Sequence, residues 1–183
     1  MKALIETDRI ILRRWKDEDR ASFARMNGDP MVMEYLPRPL DEKASNHLVD
    51  KFEAHFDAHG FGLYALERKE DGAFMGFTGL NTVEFTAHFT SPKNPVVEIA
   101  WRLDYEYWGK GYGSEAAKAV LDYGHSVLKL KEVYAFTVHD NTRSIGMMEK
   151  IGMHRVESGD FYYPTLPKNH PLGHFVLYKS EKP

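Results

Sequence analysis

Three glycines stand within the five residues 109–113, directly before an alanine-rich run, in the stretch EYWGKGYGSEAAKAVLDYG (residues 106–124). From Ala116 onward apolar side chains recur at helical spacing, so the pattern predicts an amphipathic helix that begins just after Gly113. The first amides of a helix have no partners within the helix and lie at the positive end of its dipole, where they bind anions. Because glycine has no Cβ atom, a phosphate can approach this backbone closely. The stretch therefore predicts a phosphate-binding turn, in which Lys110 adds a positive charge; the alternative is a flexible turn.

The spacing of these glycines excludes the common nucleotide-binding motifs. A P-loop requires a Lys followed by Ser or Thr after its last glycine, but Gly113 is followed by Ser114 and Glu115. A dinucleotide fingerprint needs the pattern G-x-G-x-x-G within paired βαβ units, and a kinase glycine loop lies between two strands. Neither context is found in this sequence. What remains is a turn that binds the phosphate of some other cofactor.

Composition and charge limit what the whole protein can be. The chain has 183 residues and a formal net charge of -3, which argues against a surface that binds a nucleic-acid backbone. It contains no cysteine, which excludes a disulfide framework, thiolate metal sites and a cysteine nucleophile. No apolar run approaches the roughly 20 residues of a membrane helix, and the charged start does not resemble a signal peptide. We expect a cytoplasmic protein with neither a nucleic-acid nor a membrane partner.

The elements that must hold the glycine turn follow a mixed order of helices and strands. No repeat, low-complexity segment or linker marks a boundary, so residues 1–183 are expected to form one domain. Hydrophobic periodicity, caps and turn residues predict the elements, and their class is α+β. In chain order they are a strand at 10–12, a helix after acidic residues 17–19, a short helix capped by Asp29, a helix at 41–59, a hairpin of strands 63–67 and 73–80 around Asp71 and Gly72, a strand at 96–103, the glycine turn and its helix, a strand at 133–138, a helix at 141–151 and a last strand near 174–178.

Three segments of the chain resemble motifs of the GNAT N-acetyltransferase superfamily. WGKGYGSEAAKAV, which follows VEIAWRL, is similar to its acetyl-CoA motif, Arg/Gln-x-x-Gly-x-Gly/Ala, although Trp108 stands where Arg or Gln is usual. ETDRIILRRWKDED resembles the opening segment of the ribosomal-protein N-terminal acetyltransferase branch, and NTRSIGMMEKIGM resembles the Asn-x-x-Ser motif of that branch. The resemblance implies a single GNAT-like domain. Its twisted, mostly antiparallel sheet would have about six to seven strands, flanked by helices and splayed between the strands near 96–103 and 133–138.

The resemblance also implies that acetyl-CoA is the cosubstrate and indicates which residues hold it. Its pyrophosphate would be bound, with help from Lys110, by the backbone amides of Gly111, Tyr112, Gly113, Ser114 and Glu115. Its pantetheine arm would run beside the exposed backbone of Ala100, Trp101 and Arg102, where an amide would stabilise the oxyanion. Asn141 would cap a helix and, as the family implies, also bind pantetheine.

Direct attack of an amine on the thioester needs no acyl-enzyme, but it requires a base. Strand alternation places Glu98 on one face with Ala100 and Arg102, and in some GNAT enzymes a Glu at this position is the base. We predict that Glu98 is the base; the alternative is that it pairs with Arg102. Met148 occupies the position at which many GNAT enzymes have the Tyr that protonates the thiolate, so Ser144 or solvent is expected to do so.

The sequence thus predicts an N-acetyltransferase that acts on a primary amine, either a protein N-terminus or a small molecule. The alternative is a GNAT-like sensor or partner protein that binds acyl-CoA without catalysis, which Met148 would favour. The aromatic segment GDFYYPTLP (residues 159–167) would line the acceptor pocket or cover the end of the sheet. His55 and His59 are four residues apart but lack the Glu of the zinc-protease motif, so no metal is expected. A monomer or a homodimer is expected.

Overall fold

The computed structural model describes residues 5–181 and divides into two compact units. The first unit contains the chain up to Asn81 together with Ala100–Val120, and the second contains Thr82–Ile99 and the chain from Leu121 onward. Three elements contribute residues to both units: the strand β4 (Phe74–Thr82), of which only Thr82 belongs to the second unit, the strand β5 (Val97–Leu103) and the helix α3 (Tyr112–Ser126).

The first unit has a strand order of β1-β2-β3-β4-β5, with antiparallel pairing from β1 to β4. Its elements are β1 (Ile5–Glu6), β2 (Ile10–Arg13), α1 (Asp19–Gly28), α2 (Glu42–His59), β3 (Leu63–Arg68), β4 (Phe74–Thr82) and a 3-10 helix (Tyr105–Tyr107). The helix α2 has the predicted caps: the Asp41 carboxylate accepts from the Ala44 amide at 2.7 Å, and Gly60 is left-handed with φ 76°. Local capping and turn residues therefore account for the ends of these elements.

Gly76 of β4 fixes how closely the backbone of β5 approaches. A Cβ atom at Gly76 would lie 2.2 Å from the Arg102 carbonyl oxygen and 2.8 Å from Leu103 Cα. Its φ of +130° is also one that residues with a side chain rarely adopt. The core of this unit is apolar and includes the fully buried side chains of Ile10, Leu12, Phe23, Leu66, Met75 and Leu80. Close packing against this core holds β5 in place.

The second unit contains most of the C-terminal part of the chain. Its elements are β6 (Glu132–Val138), α4 (Thr142–Lys150), β7 (His154–Arg155), β8 (Phe161–Tyr162) and β9 (His174–Glu181). The strand order is β5-β6-β9-β7, and β8 also pairs with β9. The antiparallel pair of β6 and β9 has seven register pairs, whereas the parallel pair of β5 and β6 has one, Glu98 with Tyr134. Strands that splay apart can pair only where they are still close, so one register pair agrees with the predicted splay between β5 and β6.

The mixed α/β fold class is confirmed, and the described residues 5–181 form nine strands in place of the expected six to seven. The additional strands are the two-residue strands β1, β7 and β8, which are too short to leave a periodic signal. The short helix predicted after Asp29 is wrong, because residues 30–38 form turns and bends. Pro37 and Pro39 follow closely and restrict the residues before them to extended conformations. Within residues 5–181, no helix combines the length and the apolar character that a membrane crossing requires.

Candidate functional site

The glycine turn leads into α3 as the sequence predicted, but its glycines have different roles. Gly109 and Gly111 have φ angles of 72° and 81°, in the left-handed region that favours glycine. Gly113 lies inside the first turn of α3, which begins at Tyr112. Two glycines therefore shape the turn, and the third leaves one position in the first turn of the helix without a side chain.

Hydrogen bonds to the Gly111 carbonyl define which amides this turn can offer to an anion. The Glu115 amide donates to the Gly111 oxygen at 3.0 Å, and the Ser114 hydroxyl donates to the same oxygen at 3.1 Å. The Glu115 amide is thus used by the first hydrogen bond of the helix, so we remove it from the predicted phosphate-binding set. The amides before it, of Tyr112, Gly113 and Ser114, belong to the first turn, where a helix provides no internal partner.

Arg9 organises this turn and was not found by sequence reasoning. Its guanidinium donates to the Glu115 carboxylate at 2.7 Å and to the Lys110 carbonyl at 3.1 Å, and it lies 4.3 Å from the centre of the Tyr112 ring. Thr7 donates to the same carboxylate at 2.6 Å. Burial would raise the pKa of Glu115, but the hydrogen bonds from Thr7 and Arg9 outweigh it and hold that pKa below its ordinary value. A contact across 106 residues leaves no local pattern in the sequence.

Trp108 directly precedes the glycine turn, and Lys110 lies within it, between Gly109 and Gly111. The Trp108 indole donates to the Leu103 carbonyl at 2.9 Å and packs edge-on against Tyr105. This hydrogen bond anchors the loop that joins β5 to α3. Trp108, which stands where Arg or Gln is usual in the motif, thus holds this loop to the end of β5. The Lys110 side chain is exposed, and its amine lies 5.9 Å from the centre of the Tyr107 ring. The lysine charge is therefore available next to the amides of the turn.

The predicted pantetheine strand, Ala100 to Arg102, belongs to the first unit. The Thr78 hydroxyl donates to the Ala100 carbonyl at 2.9 Å. Arg102 donates through Nη1 to the side-chain oxygen of Asn27 at 2.6 Å. The structure thus gives Arg102 a different partner from the Glu98 carboxylate that was the alternative interpretation, and that alternative is wrong. Ala100, Trp101 and Arg102 are all partly exposed, as backbone beside a cofactor would have to be.

Glu98, the predicted base, lies in the second unit near the phenol of Tyr163, a residue of the aromatic segment 159–167. Burial raises the pKa of Tyr163, and the negative charge of Glu98 raises it further. The Tyr163 ring lies 5.0 Å from the ring of Phe85 and 4.9 Å from that of Phe175. A carboxylate beside an aromatic cluster suits the deprotonation of an amine that is partly desolvated.

Asn141 and Ser144, which sequence reasoning placed near the thioester, are hydrogen-bonded to each other. The Asn141 side chain accepts from the Ser144 amide at 3.2 Å, so the predicted helix cap is confirmed. Its amide group donates to the Ser144 hydroxyl at 3.2 Å and to the Thr137 hydroxyl at 3.0 Å. Met148 is only 2% exposed and packs into the core, so it offers no proton donor. Binding of pantetheine by Asn141 and proton donation by Ser144 stay predictions.

The comparison with known families agrees with the geometry of the turn. Residues 9–154 match the family model described as an acetyltransferase (GNAT) domain. The chain belongs to the GNAT acetyltransferase family. The uncharacterized protein YkkB of Bacillus subtilis (strain 168) is 33% identical to it over 154 residues, which cover 84% of this chain and 86% of that protein. This chain is therefore an N-acetyltransferase of the GNAT family.

A further relative of this GNAT acetyltransferase and a solved structure with a similar fold are named for different acceptors. The spermidine N(1)-acetyltransferase of Escherichia coli (strain K12) is 27% identical over 145 residues, covering 78% of this chain and 72% of that enzyme. The solved structure of RimL, a ribosomal L7/L12 alpha-N-protein acetyltransferase in complex with coenzyme A, has a TM-score of 0.78 and 13% identity, covering 99% of this chain and 98% of that one. At that identity the likeness shows the fold alone, and the resemblance to the ribosomal-protein branch goes no further than the shared family.

Proposed function

We propose that this GNAT acetyltransferase transfers the acetyl group of acetyl-CoA directly to a primary amine, without an acyl-enzyme. The observation that carries the proposal is the turn before α3, where two left-handed glycines precede a set of first-turn amides. We treat the two units as parts of one catalytic domain, since the residues that match the GNAT family run across both. The E. coli and RimL relatives are named for a polyamine and for a protein N-terminus, and both acceptors are amines.

The residues of the turn fit a pyrophosphate. The amides of Gly111, Tyr112, Gly113 and Ser114 would hold it, and Lys110 would add charge. A Cβ atom at Gly111 would lie 3.3 Å from the Arg9 guanidinium, so a larger residue there would crowd the side chain that orders the turn. Asn141 and the backbone of residues 100–102 would hold the pantetheine arm. Bound in this way, acetyl-CoA supplies a thioester carbonyl that a neutral amine can attack.

The residues of the chain then handle protons and charge. Glu98 accepts a proton from the substrate ammonium, directly or through a water, so that the amine nitrogen can form its bond to the carbonyl carbon. A backbone amide of β5 stabilises the oxyanion. When the carbon–sulfur bond breaks, the CoA thiolate leaves and takes a proton from Ser144 or from solvent. No cysteine is required, in agreement with the composition of the chain.

Release of free CoA thiol in the presence of acetyl-CoA and a panel of amines tests this function. Gly111→Ala should raise the KM for acetyl-CoA at least about tenfold, because alanine in the left-handed region costs about 1–2 kcal/mol and displaces the turn. Gly146→Ala is the matched control, since a Cβ atom there meets no neighbour within 4 Å and its helix lies outside the turn. Binding of acetyl-CoA without thiol release on any amine would favour the sensor alternative.

Glu98→Gln tests the base. We expect kcat to fall by about 10²–10⁴-fold near neutral pH, the usual contribution of a general base. The loss should shrink as the pH approaches the pKa of the acceptor amine, where the amine is already neutral. Glu84→Gln, on an exposed residue of the same unit, is the control. Equal loss at every pH would contradict the assignment.

A further inference from the structure

The guanidinium of Arg102 has no carboxylate to balance it. Its Nη1 donates to Asn27 Oδ1 at 2.6 Å, and its terminal carbon lies 5.5 Å from the centre of the Phe77 ring. Among residues 5–181 no carboxylate forms an ion pair with it. A guanidinium carries five N–H donors, and the contact with Asn27 uses one of them. The side chain keeps a limited opening to solvent.

Most other arginines of the described chain have such a partner. Seven of them lie within 3.2 Å of a carboxylate oxygen. They are Arg9, Arg13, Arg14, Arg20, Arg25, Arg68 and Arg155. Burial of a cation without an opposite charge is costly, and proteins usually avoid it. Within residues 5–181, carboxylates thus balance these seven arginines, and none balances Arg102.

The surroundings of Arg102 indicate what kind of anion would suit it. Asn27 is fully buried, and its amide donates to the Ser45 hydroxyl at 2.8 Å, so the neighbouring polar groups are neutral. Burial lowers the pKa of Arg102 to about 10, which still leaves the guanidinium charged at neutral pH. One guanidinium flanked by neutral groups balances one negative charge, as on a carboxylate. A phosphate dianion would need more positive charge than these groups supply.

We propose that Arg102 binds a carboxylate of the acceptor, so that the substrates are amines that also carry a carboxylate. The planar guanidinium matches a carboxylate in a bidentate geometry, which gives specificity as well as affinity. The inference rests on the proposed acetyl transfer and names its acceptor class. It also separates this chain from the E. coli relative named for spermidine, because a buried positive charge repels a polycation.

A purely structural role is the competing explanation. Asn27 lies in the last turn of α1, where the carbonyl groups at the end of the helix attract cations. In that case Arg102 would stabilise the first unit and would not influence the choice of acceptor. The experiment must therefore report on acceptor preference and not on activity alone.

Matched pairs of amines measure that preference. Each pair differs only in a carboxylate: 4-aminobutyrate with butylamine, 6-aminohexanoate with hexylamine, and a short peptide with Glu or with Gln after its N-terminal residue. The aminoalkanoates report on a small acceptor, and the peptides report on an acidic protein N-terminus. We expect the wild-type protein to favour the carboxylate member of at least one pair by about tenfold or more in kcat/KM. Spermidine should be a poorer acceptor than that member.

Variants assign the preference to Arg102. Arg102→Gln should bring the kcat/KM ratio within the preferred pair close to one, and Arg102→Lys should retain part of it. Asn27→Asp places a carboxylate against the guanidinium in the space of the amide, so it should also reduce the ratio by competing with the substrate. Arg20→Gln removes an arginine that already pairs with Asp50 and should leave the ratio unchanged. A ratio that Arg102→Gln does not alter would overturn the proposal.

Binding keeps this test separate from the test of catalysis. With CoA present, the two members of the preferred pair are titrated by thermal shift or calorimetry. The wild-type protein should bind the member with the carboxylate more tightly than the member without it, and Arg102→Gln should bind the two equally. If no amine is acetylated but this difference persists in binding, the proposed function fails and the carboxylate site stands. If amines are acetylated with no carboxylate preference in rate or binding, the site fails and the function stands.

Discussion

Arg13 and Arg102 lie in the same unit and differ in what balances their charge. The Arg13 side chain is only 5% exposed and donates to Asp19 at 2.7 Å and 2.9 Å and to Glu67 at 2.6 Å. Burial would lower the pKa of Arg13, but the hydrogen bonds to Asp19 and Glu67 outweigh it and raise that pKa above its ordinary value. For Arg102 burial is unopposed, and the pKa falls.

The difference separates a cation that serves the fold from one available to a ligand. Arg13 ends β2, Asp19 begins α1 and Glu67 lies in β3, so their ion pairs join three elements of the first unit. The charge is balanced within the chain, and no ligand is needed. Arg102 donates to a neutral amide, so its charge is left for a molecule from outside. Removing Arg13 should therefore lower the free energy of unfolding, whereas giving Arg102 a counter-charge should raise it.

The largest effect is expected when the balanced arginine is removed. Arg13→Met keeps most of the side-chain volume but leaves the Asp19 carboxylate, 2% exposed, without its cation. Breaking a buried pair from one side costs about 3–5 kcal/mol of unfolding free energy, which urea denaturation measures. Arg155→Met, on a surface pair with Asp160, should cost less than about 1 kcal/mol. Equal losses in the two variants would contradict the interpretation of Arg13.

A smaller effect of opposite sign is expected when Arg102 receives a counter-charge. Asn27→Asp should raise the free energy of unfolding by about 1–2 kcal/mol near neutral pH, since an ion pair replaces a hydrogen bond from the guanidinium to a neutral amide. The new carboxyl should have a folded pKa below its unfolded value of about 3.9. The gain is then present above that pH and is lost as the pH falls through the folded pKa. Asn169→Asp, on an exposed loop, is the control, and a destabilised Asn27→Asp protein at neutral pH would show that Arg102 is already balanced.

The smallest expected effect is on how steeply the stability of the protein falls at acidic pH. Burial would raise the pKa of Glu67, but hydrogen bonds from Arg13 and Lys16 outweigh it and hold that pKa below its ordinary value of 4.5. Because the folded pKa is depressed, the stability that Glu67 contributes is present above about pH 4.5 and is lost as the pH falls through the folded pKa. Unfolding midpoints measured between pH 6 and pH 3 should therefore fall less steeply in Glu67→Gln. The Arg102→Gln protein should keep the wild-type slope, and a flattened slope there would remove the distinction between the two arginines.

Sequence reasoning succeeded where the signals are local. Asp41 and Gly60 delimit α2 as predicted, and Asn141 caps α4, because a cap acts on amides within a few residues of itself. The hairpin around Gly72, with φ 73°, follows from turn residues between two alternating strands. The glycine turn and the helix after it were predicted for the same reason, since the glycines precede the helix directly, and phosphate binding there stays a prediction.

The charged contacts of the site could not be predicted in this way. Glu98 and Arg102 are four residues apart on one face of a strand, and this proximity suggested a pair between them as the alternative to a catalytic Glu98. The actual partner, Asn27, is 75 residues away in the sequence. Arg9 was assigned no role from the sequence, because its role depends on Lys110 and Glu115, more than 100 residues further on. Partners set by tertiary packing leave no trace in local periodicity.

The missing side chain of Gly76 controls the position of Arg102 without touching its guanidinium. The carbonyl of Arg102 occupies the space that a Cβ atom at position 76 would take, so any larger residue there must push β5 outward. Such a shift would withdraw the guanidinium from Asn27 while leaving every charged group in the chain intact. Acceptor choice in this enzyme would then depend on an uncharged position one strand away, which is a useful place to begin redesigning it.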